Sequence, residues 1–191
     1  LLETTKSFKP HLVMIDSAST DDSLSIAKIW GGQDEFASYT ILEMEERKGK
    51  TAAVQRALKH IEASIETDLI LMTDADAMLE ADTVSNLMQW FSDPSIGCVG
   101  AAPKRVGQRM EEEKHREIFS MVRNLESNID STPFLEGSCM MWRSDALQID
   151  ALYVTSNADD AQIATNIRIN GLRVIQDSDA VSYTHLTLPT T

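Results

Sequence analysis

The chain has 191 residues, with 17 Lys plus Arg against 30 Asp plus Glu and a formal net charge of −13. Its 42% hydrophobic and 25% charged residues are those of a globular chain with a sizeable core. This acidic balance argues against nucleic acid or an anionic membrane as a broad partner, yet leaves room for an anion held locally by a metal, a lysine or a helix N-terminus. Cys98 and Cys139 make no disulfide framework and fit a reducing compartment as small core residues. No apolar run approaches the roughly 18 residues of a membrane span. The opening LLETTKSFKP lacks the basic start and apolar block of a signal peptide.

Taken in order, HLVMID (11–16) is a short apolar run ending in Asp and predicts a buried strand. STDDSLSIAKIWGG predicts a capped helix with Ile26, Ile29 and Trp30 facing inward and Gly31 ending it. SYTILEM (38–44) predicts a second strand, and TAAVQRALKHIEASI a helix with Val54, Ala57, Leu58, Ile61 and Ile65 at helical spacing. DLILMTDAD then predicts a third strand, apolar enough to be central and covered on both faces. Asp82 is placed to cap a helix with Val84, Leu87, Met88 and Phe91 in one stripe, and DPSIGCVGAAP predicts turn, strand and exit. A long helix over roughly 109–130 carries Ile118, Met121, Val122, Leu125 and Ile129 on one face. FLEGSCMMWRSDAL predicts a Gly-interrupted strand leading to a short helix. NADDAQIATNIRINGLRVIQDSDA predicts a helix, a C-cap at Gly171 and a last strand around Arg173–Gln176.

This alternation predicts right-handed βαβ units, with a mostly parallel sheet and helices on both faces. In such sheets the ligand crevice lies beyond the carboxyl ends of the strands, where Asp16 and Asp74 fall. The first residue is not Met, and the last eleven residues, VSYTHLTLPTT, break the acidic, patterned character of the rest. They resemble the translation of a sequencing-library adaptor. Residues 181–191 are therefore expected to be a non-native tail after one partial domain over 1–180, the alternative being an edge strand, since VSYTHLTL alternates.

Asp74 and Asp76 are the first candidates for chemistry. If strand geometry persists, residues i and i+2 share a side, and two adjacent carboxylates repel unless a cation joins them. Mg²⁺ and Mn²⁺ favour such oxygen ligands together with phosphate oxygens, while the bland reading is a strand-end turn. Three other motifs fail: a calcium loop from Asp74 would need Gly and Glu where Leu79 and Ser85 stand. A P-loop ending in GKT at 49–51 would need Gly where Met44 stands, and no G-x-G-x-x-G follows a candidate strand. Lys50 falls at a helix N-terminus, where positive charge is unfavourable unless an anion answers it. Asp159 and Asp160 open a helix, where capping alone accounts for acids. His11, His60 and His115 show no metal-ligand spacing.

The order of these motifs resembles the family 2 glycosyltransferases, which share the nucleotide-sugar-binding fold called GT-A. VMIDSASTDDS is similar to the family's VVDDGSTDGT, and ERKGKTAAVQRAL to its N-x-GK-A-A-A-L-N-x-G segment. LILMTDADAML followed by FSDPSIGCVGA is similar to its D-x-D strand and downstream DP-x-V-G-x-V-G strand. NADDAQIATNIRINGLRV is similar to its ED-x-x-L-A-x-R-x-x-x-x-G-y-r-V segment, so the resemblance covers nearly all of residues 8–180. It implies that Asp16 contacts the nucleotide base, that Lys50 lies near the nucleotide, and that Asp74 and Asp76 bind nucleotide and divalent metal. It implies that Asp160 is the catalytic base, with Asp159 and Gly137 on the acceptor side. Ser17 and Ala18 replace the commoner Asp-Gly, Gln55 the usual Asn, Ala57 a Gly, and Asp159 stands where Glu is commoner.

The resemblance implies a metal-dependent transfer, with inversion, from a nucleoside-diphosphate sugar to an acceptor hydroxyl of a glycan, polysaccharide or lipid, with Mg²⁺ or Mn²⁺ as cofactor. Nucleic acid is not an expected partner. The expected location is cytoplasmic, with membrane attachment left to segments outside this sequence. The family's first strand is expected upstream of Leu1, and its Q-x-x-R-W and membrane helices beyond Ala180. Two alternatives stay open: a sugar-phosphate nucleotidyltransferase, and a non-catalytic nucleotide-sugar-binding domain.

Overall fold

The computed structural model of the protein describes residues 9–30, 36–106 and 110–185. The elements in chain order are β1 (His11–Asp16), α1 (Ser23–Trp30), β2 (Ser38–Glu43), α2 (Lys50–Ser64), β3 (Leu69–Thr73) and β4 (Ala77–Leu79). There follow α3 (Thr83–Gln89), β5 (Ile96–Val106), α4 (Met110–Ile129), β6 (Cys139–Arg143), α5 (Asp159–Ile169) and β7 (Arg173–His185). The expected strands form, and so do the expected helices except the short one after β6, where a single 3₁₀ turn at Ile149–Ala151 stands; Gly171 at φ 89° follows α5 as its sequence position requires. The expected helix end at Gly31 lies outside the described residues. β4, directly after the D-x-D, is a short strand that the sequence pattern does not predict.

The class is α/β. β1 and β2 pair in parallel, His11 with Ser38 through Asp16 with Glu43. A five-stranded sheet has the order β3-β6-β5-β7-β4. In it β3, β5 and β7 share one direction, and β6 and β4 run against their neighbours. The antiparallel pairing of Thr73 with Cys139 sets the carboxyl end of β3 beside the start of β6. Residues 181–185 complete β7 and pair with β4 and with 102–106 of β5.

Alternation along β6 divides the core between the two faces of the sheet. Met140 and Trp142 pack with Leu58 of α2 and Ile163, Ala164 and Ile167 of α5. Cys139 and Met141 pack on the other face with Val84 and Leu87 of α3 and with Ile96, Val99 and Ile175. Both cysteines are buried free thiols, as expected, and burial raises both pKa values, that of Cys139 to about 12. Among the described residues, no helix is long and apolar enough to cross a membrane.

Three expectations of burial need correction. β3 ends its sheet and is only half-buried, because β6 pairs with one of its edges and no described strand pairs with the other. α1 buries Ala27, while Ile26 and Ile29 are exposed. In α4 the apolar stripe faces outward: Ile118, Met121, Val122, Leu125 and Ile129 are 41–86% exposed. The polar side faces the sheet because β7 offers it hydrogen-bonding partners. The Gln176 amide donates to Ser120 Oγ (3.0 Å) and Asn124 Oδ1 (2.9 Å), and the Gln176 backbone N–H donates to Ser127 Oγ (2.9 Å). Buried polar groups must be paired, so these bonds set the rotation of the helix.

Candidate active site

The site forms where the start of α2, the end of β3, the start of β6 and the start of α5 meet. Gly49 at φ 91° turns the chain into α2, and Lys50 is its first residue. The Lys50 ammonium lies 2.6 Å from Asp74 Oδ1 and 3.4 Å from Asp159 Oδ2. A cation at a helix N-terminus is thus answered by two carboxylates from other elements. Burial pulls the Lys50 pKa down, but the hydrogen bond to Asp74 and the charge of Asp159 outweigh it and hold it above its ordinary value.

Asp159 is 2% exposed, and its Oδ2 has no aligned hydrogen bond among the described residues. The Lys50 contact is therefore charge compensation at a distance, without hydrogen-bond geometry. Burial pushes the Asp159 carboxyl up; Lys50 pulls it back, and the neighbouring Asp160 adds to the rise.

Asp160 is oriented by the backbone. The Gly137 N–H donates to its Oδ2 (3.1 Å) and the Ala161 N–H to its Oδ1 (2.7 Å). A Cβ on Gly137 would lie 3.1 Å from Asp160 Cβ and 3.3 Å from Oδ2, tight enough to shift the carboxylate by a few tenths of an ångström.

The D-x-D departs from strand geometry. The Ala77 N–H donates to the Asp74 carbonyl (3.2 Å), closing a turn through Ala75 and Asp76. The assumption that both side chains share a strand face fails, because the chain folds back into β4. Asp76 is exposed, without a hydrogen-bond or ion-pair partner among the described residues. Asp16 stays within its own loop: its Oδ2 accepts from the Ser19 N–H (3.1 Å), and Ala18 adopts φ 55°. The structure thus joins Lys50, Asp74 and Asp159 directly and Asp160 with Gly137, while Asp16 and Asp76 touch neither group.

Sequence reading missed three contributors. Asn157 packs on the GK turn, its Oδ1 2.5 Å from where a Gly49 Cβ would stand. Thr51 donates its hydroxyl to the Ser156 carbonyl and ties α2 to the same strap. Ser138 accepts at its carbonyl from the Asp74 N–H (3.2 Å) and from Thr73 Oγ1 (3.0 Å), while its own hydroxyl is buried without a partner among the described residues. None of the three carries a sequence signal of its own.

Among the described residues, no three His, Cys, Asp or Glu side chains gather to hold a metal. Asp74 and Asp76 offer hard oxygen donors from one turn. They suit a cation that completes its shell with ligand or water oxygens, rather than an all-protein cage.

A half-buried carboxylate just past the carboxyl end of β3 and a buried one opening α5, joined by the lysine that opens α2, mark a ligand site of an α/β sheet. The fold is that of the GT-A glycosyltransferases. The mannosyltransferase PcManGT from Pyrobaculum calidifontis, in complex with GDP-Man and Mn²⁺, superposes with a TM-score of 0.78 and 28% identity, over 94% of this chain and 48% of that one. TarS from S. aureus in complex with UDP-GlcNAc gives 0.67 and 16%, over 99% and 53%. GalNAc-T7 with UDP, GalNAc and Mn²⁺ gives 0.61 and 12%, over 94% and 38%. The last two are likenesses of fold. Residues 1–149 match the family model described as glycosyl transferase family 2, and the chain belongs to that family. No curated protein matches it. The chain spans about half the length of PcManGT and of the TarS chain.

Proposed function

We propose that the protein transfers a sugar, with inversion, from a nucleoside-diphosphate sugar to an acceptor hydroxyl. The observation that carries this is the pairing of Asp160 with the Gly137 N–H beside the Lys50–Asp74–Asp159 cluster, at one end of the sheet. A base and a cation-and-carboxylate cluster stand where a donor and an acceptor could meet. The complexes of PcManGT with GDP-Man and of TarS with UDP-GlcNAc support the donor class.

Asp160 takes the proton of the acceptor hydroxyl. The freed oxygen bonds to the anomeric carbon as the bond from that carbon to the diphosphate oxygen breaks. The two backbone N–H groups on Asp160 hold its carboxylate in place during the approach. Lys50 supplies positive charge to the diphosphate side. Asp74 and Asp76 would hold Mg²⁺ or Mn²⁺, whose charge would neutralise the departing diphosphate. Mn²⁺ in the PcManGT and GalNAc-T7 complexes is consistent with this choice. Asp16 would serve the base of the nucleotide.

The test is donor turnover by the intact protein and its Asp160→Asn variant, with donor binding followed by calorimetry. Removing the base should cost about 10²- to 10⁴-fold in kcat. Donor binding should persist, and the product should be a nucleoside diphosphate. Unchanged turnover would remove Asp160 from the role. Release of pyrophosphate would point to nucleotidyl transfer, and binding without turnover to a non-catalytic domain.

A further inference from the structure

One ammonium joins Asp74, the first carboxylate of the D-x-D, to Asp159, the first acid of α5. Lys50 Nζ is 2.6 Å from Asp74 Oδ1 and 3.4 Å from Asp159 Oδ2, so both carboxylates compete for a single cation. The shorter contact is to Asp74, the same carboxylate that would serve a divalent ion. The longer leaves Asp159 Oδ2 buried without an aligned donor. Two cations cannot share one oxygen at close range without strong repulsion. The Lys50 side chain is 43% exposed, which leaves it free to swing, while Asp159, at 3%, is fixed by burial.

We propose that Lys50 is a built-in competitor of the divalent cation: it neutralises Asp74 in the absence of metal and is released towards Asp159 when Asp74 takes the metal. This rests on the reading of Asp74 as a metal ligand. The device keeps Asp74 from standing as uncompensated charge before the donor arrives. It also links the two halves of the site, because the freed ammonium gains its full contact with Asp159, next to the base Asp160. Linkage makes the effect reciprocal: whatever holds Lys50 on Asp74 weakens metal binding, and metal weakens the Lys50–Asp74 contact by the same factor.

The experiment measures Mn²⁺ affinity of the intact protein without nucleotide, by electron paramagnetic resonance, for wild type, Lys50→Gln, Lys50→Arg and Asp74→Asn. Removing the competing charge should tighten Mn²⁺ binding on the order of tenfold in Lys50→Gln. Lys50→Arg, which keeps the charge, should stay near wild type, and Asp74→Asn should abolish binding. In wild type, Mn²⁺ should lower the rate at which Lys50 is acylated by an amine-reactive reagent, because the released ammonium moves from the half-exposed Asp74 to the buried Asp159. That readout needs no variant to fold. Equal affinities in wild type and Lys50→Gln, with binding still lost in Asp74→Asn, overturn the competition and leave the metal reading standing. An acylation rate that Mn²⁺ leaves unchanged or raises also overturns it. Mn²⁺ binding indifferent to Asp74→Asn, or absent in every form, overturns both.

Discussion

Gly137 and Asp160 are in direct register: the Gly137 N–H donates to Asp160 Oδ2 at 3.1 Å, and a Cβ on Gly137 would meet Asp160 Cβ at 3.1 Å. That contact is tighter than an ordinary van der Waals approach, so Gly137→Ala must push Asp160 aside by a few tenths of an ångström. Displacement of this order in a reacting group costs rate and leaves binding intact. Gly137→Ala is expected to lower kcat about tenfold with donor affinity unchanged. Steady-state kinetics beside calorimetry of the donor decides it, and an unchanged kcat would remove Gly137 as a support of the base.

Ala18 occupies the left-handed region at φ 55°, in the loop that carries Asp16. The Cβ of a non-glycine residue costs about 1 to 2 kcal/mol there. The related motif has Gly at this position, and the backbone shows why. Ala18→Gly relieves the strain but adds freedom to the unfolded chain, so the net gain is about 1 kcal/mol. In a chain of this size that raises Tm by about 2 to 4 °C. Differential scanning calorimetry reads the shift directly.

Gly49 is the opposite case. Its φ of 91° is disfavoured for a side chain, and a Cβ would stand 2.5 Å from Asn157 Oδ1. Gly49→Ala is expected to destabilise by about 1 to 2 kcal/mol, mainly through backbone strain, since the Asn157 amide can swing aside. Asn157→Ala in the same chain should return only the clash. A denaturant-unfolding cycle of the two substitutions separates the terms.

What could be read from residue order was what short-range chemistry decides. The strand LILM, the helix starts at Lys50 and Asp159 and the turn at Gly171 depend on periodicity and backbone freedom, and all appear. What could not be read depends on a partner distant in sequence. The stripe of α4 points outward because Gln176, some fifty positions on, bonds to Ser120, Asn124 and Ser127. Asp76 leaves the strand face because the chain turns into β4, whose pairing partner is β7. The cluster of Lys50, Asp74 and Asp159 spans three elements, so residue order named its members without showing that one ammonium joins them.

The outward stripe of α4 makes a stability prediction of its own. Leu125 is 55% and Ile129 86% exposed, so neither supports the core. Leu125→Gln and Ile129→Lys should each change unfolding free energy by no more than about 0.5 kcal/mol. Ser127→Val, on the inward polar side, removes the acceptor of the Gln176 N–H and should cost about 1 to 3 kcal/mol. Urea unfolding of the three variants tests which face holds the helix.

Asp159 gives the protein a pH signature. Burial raises its carboxyl pKa above the unfolded value, with Lys50 opposing and Asp160 adding to the rise. A raised folded pKa means that the native state binds the proton more tightly than the unfolded chain. Its stabilising contribution is therefore complete below the unfolded value of about 3.9 and is lost as pH rises through the folded value. At neutral pH the buried charge is a cost, which Asp159→Asn removes while Lys50 keeps its contact with Asp74. The variant is expected to be about 1 kcal/mol more stable than wild type at pH 7, the usual gain when a functional strain is relieved. That advantage should shrink as pH is lowered towards 4. Its turnover should fall, since the Lys50 ammonium has lost the carboxylate that precedes Asp160 in the chain. Thermal unfolding of both forms between pH 4 and pH 8 checks the sign: an advantage that grows towards acid would mean that Lys50, rather than burial, governs Asp159.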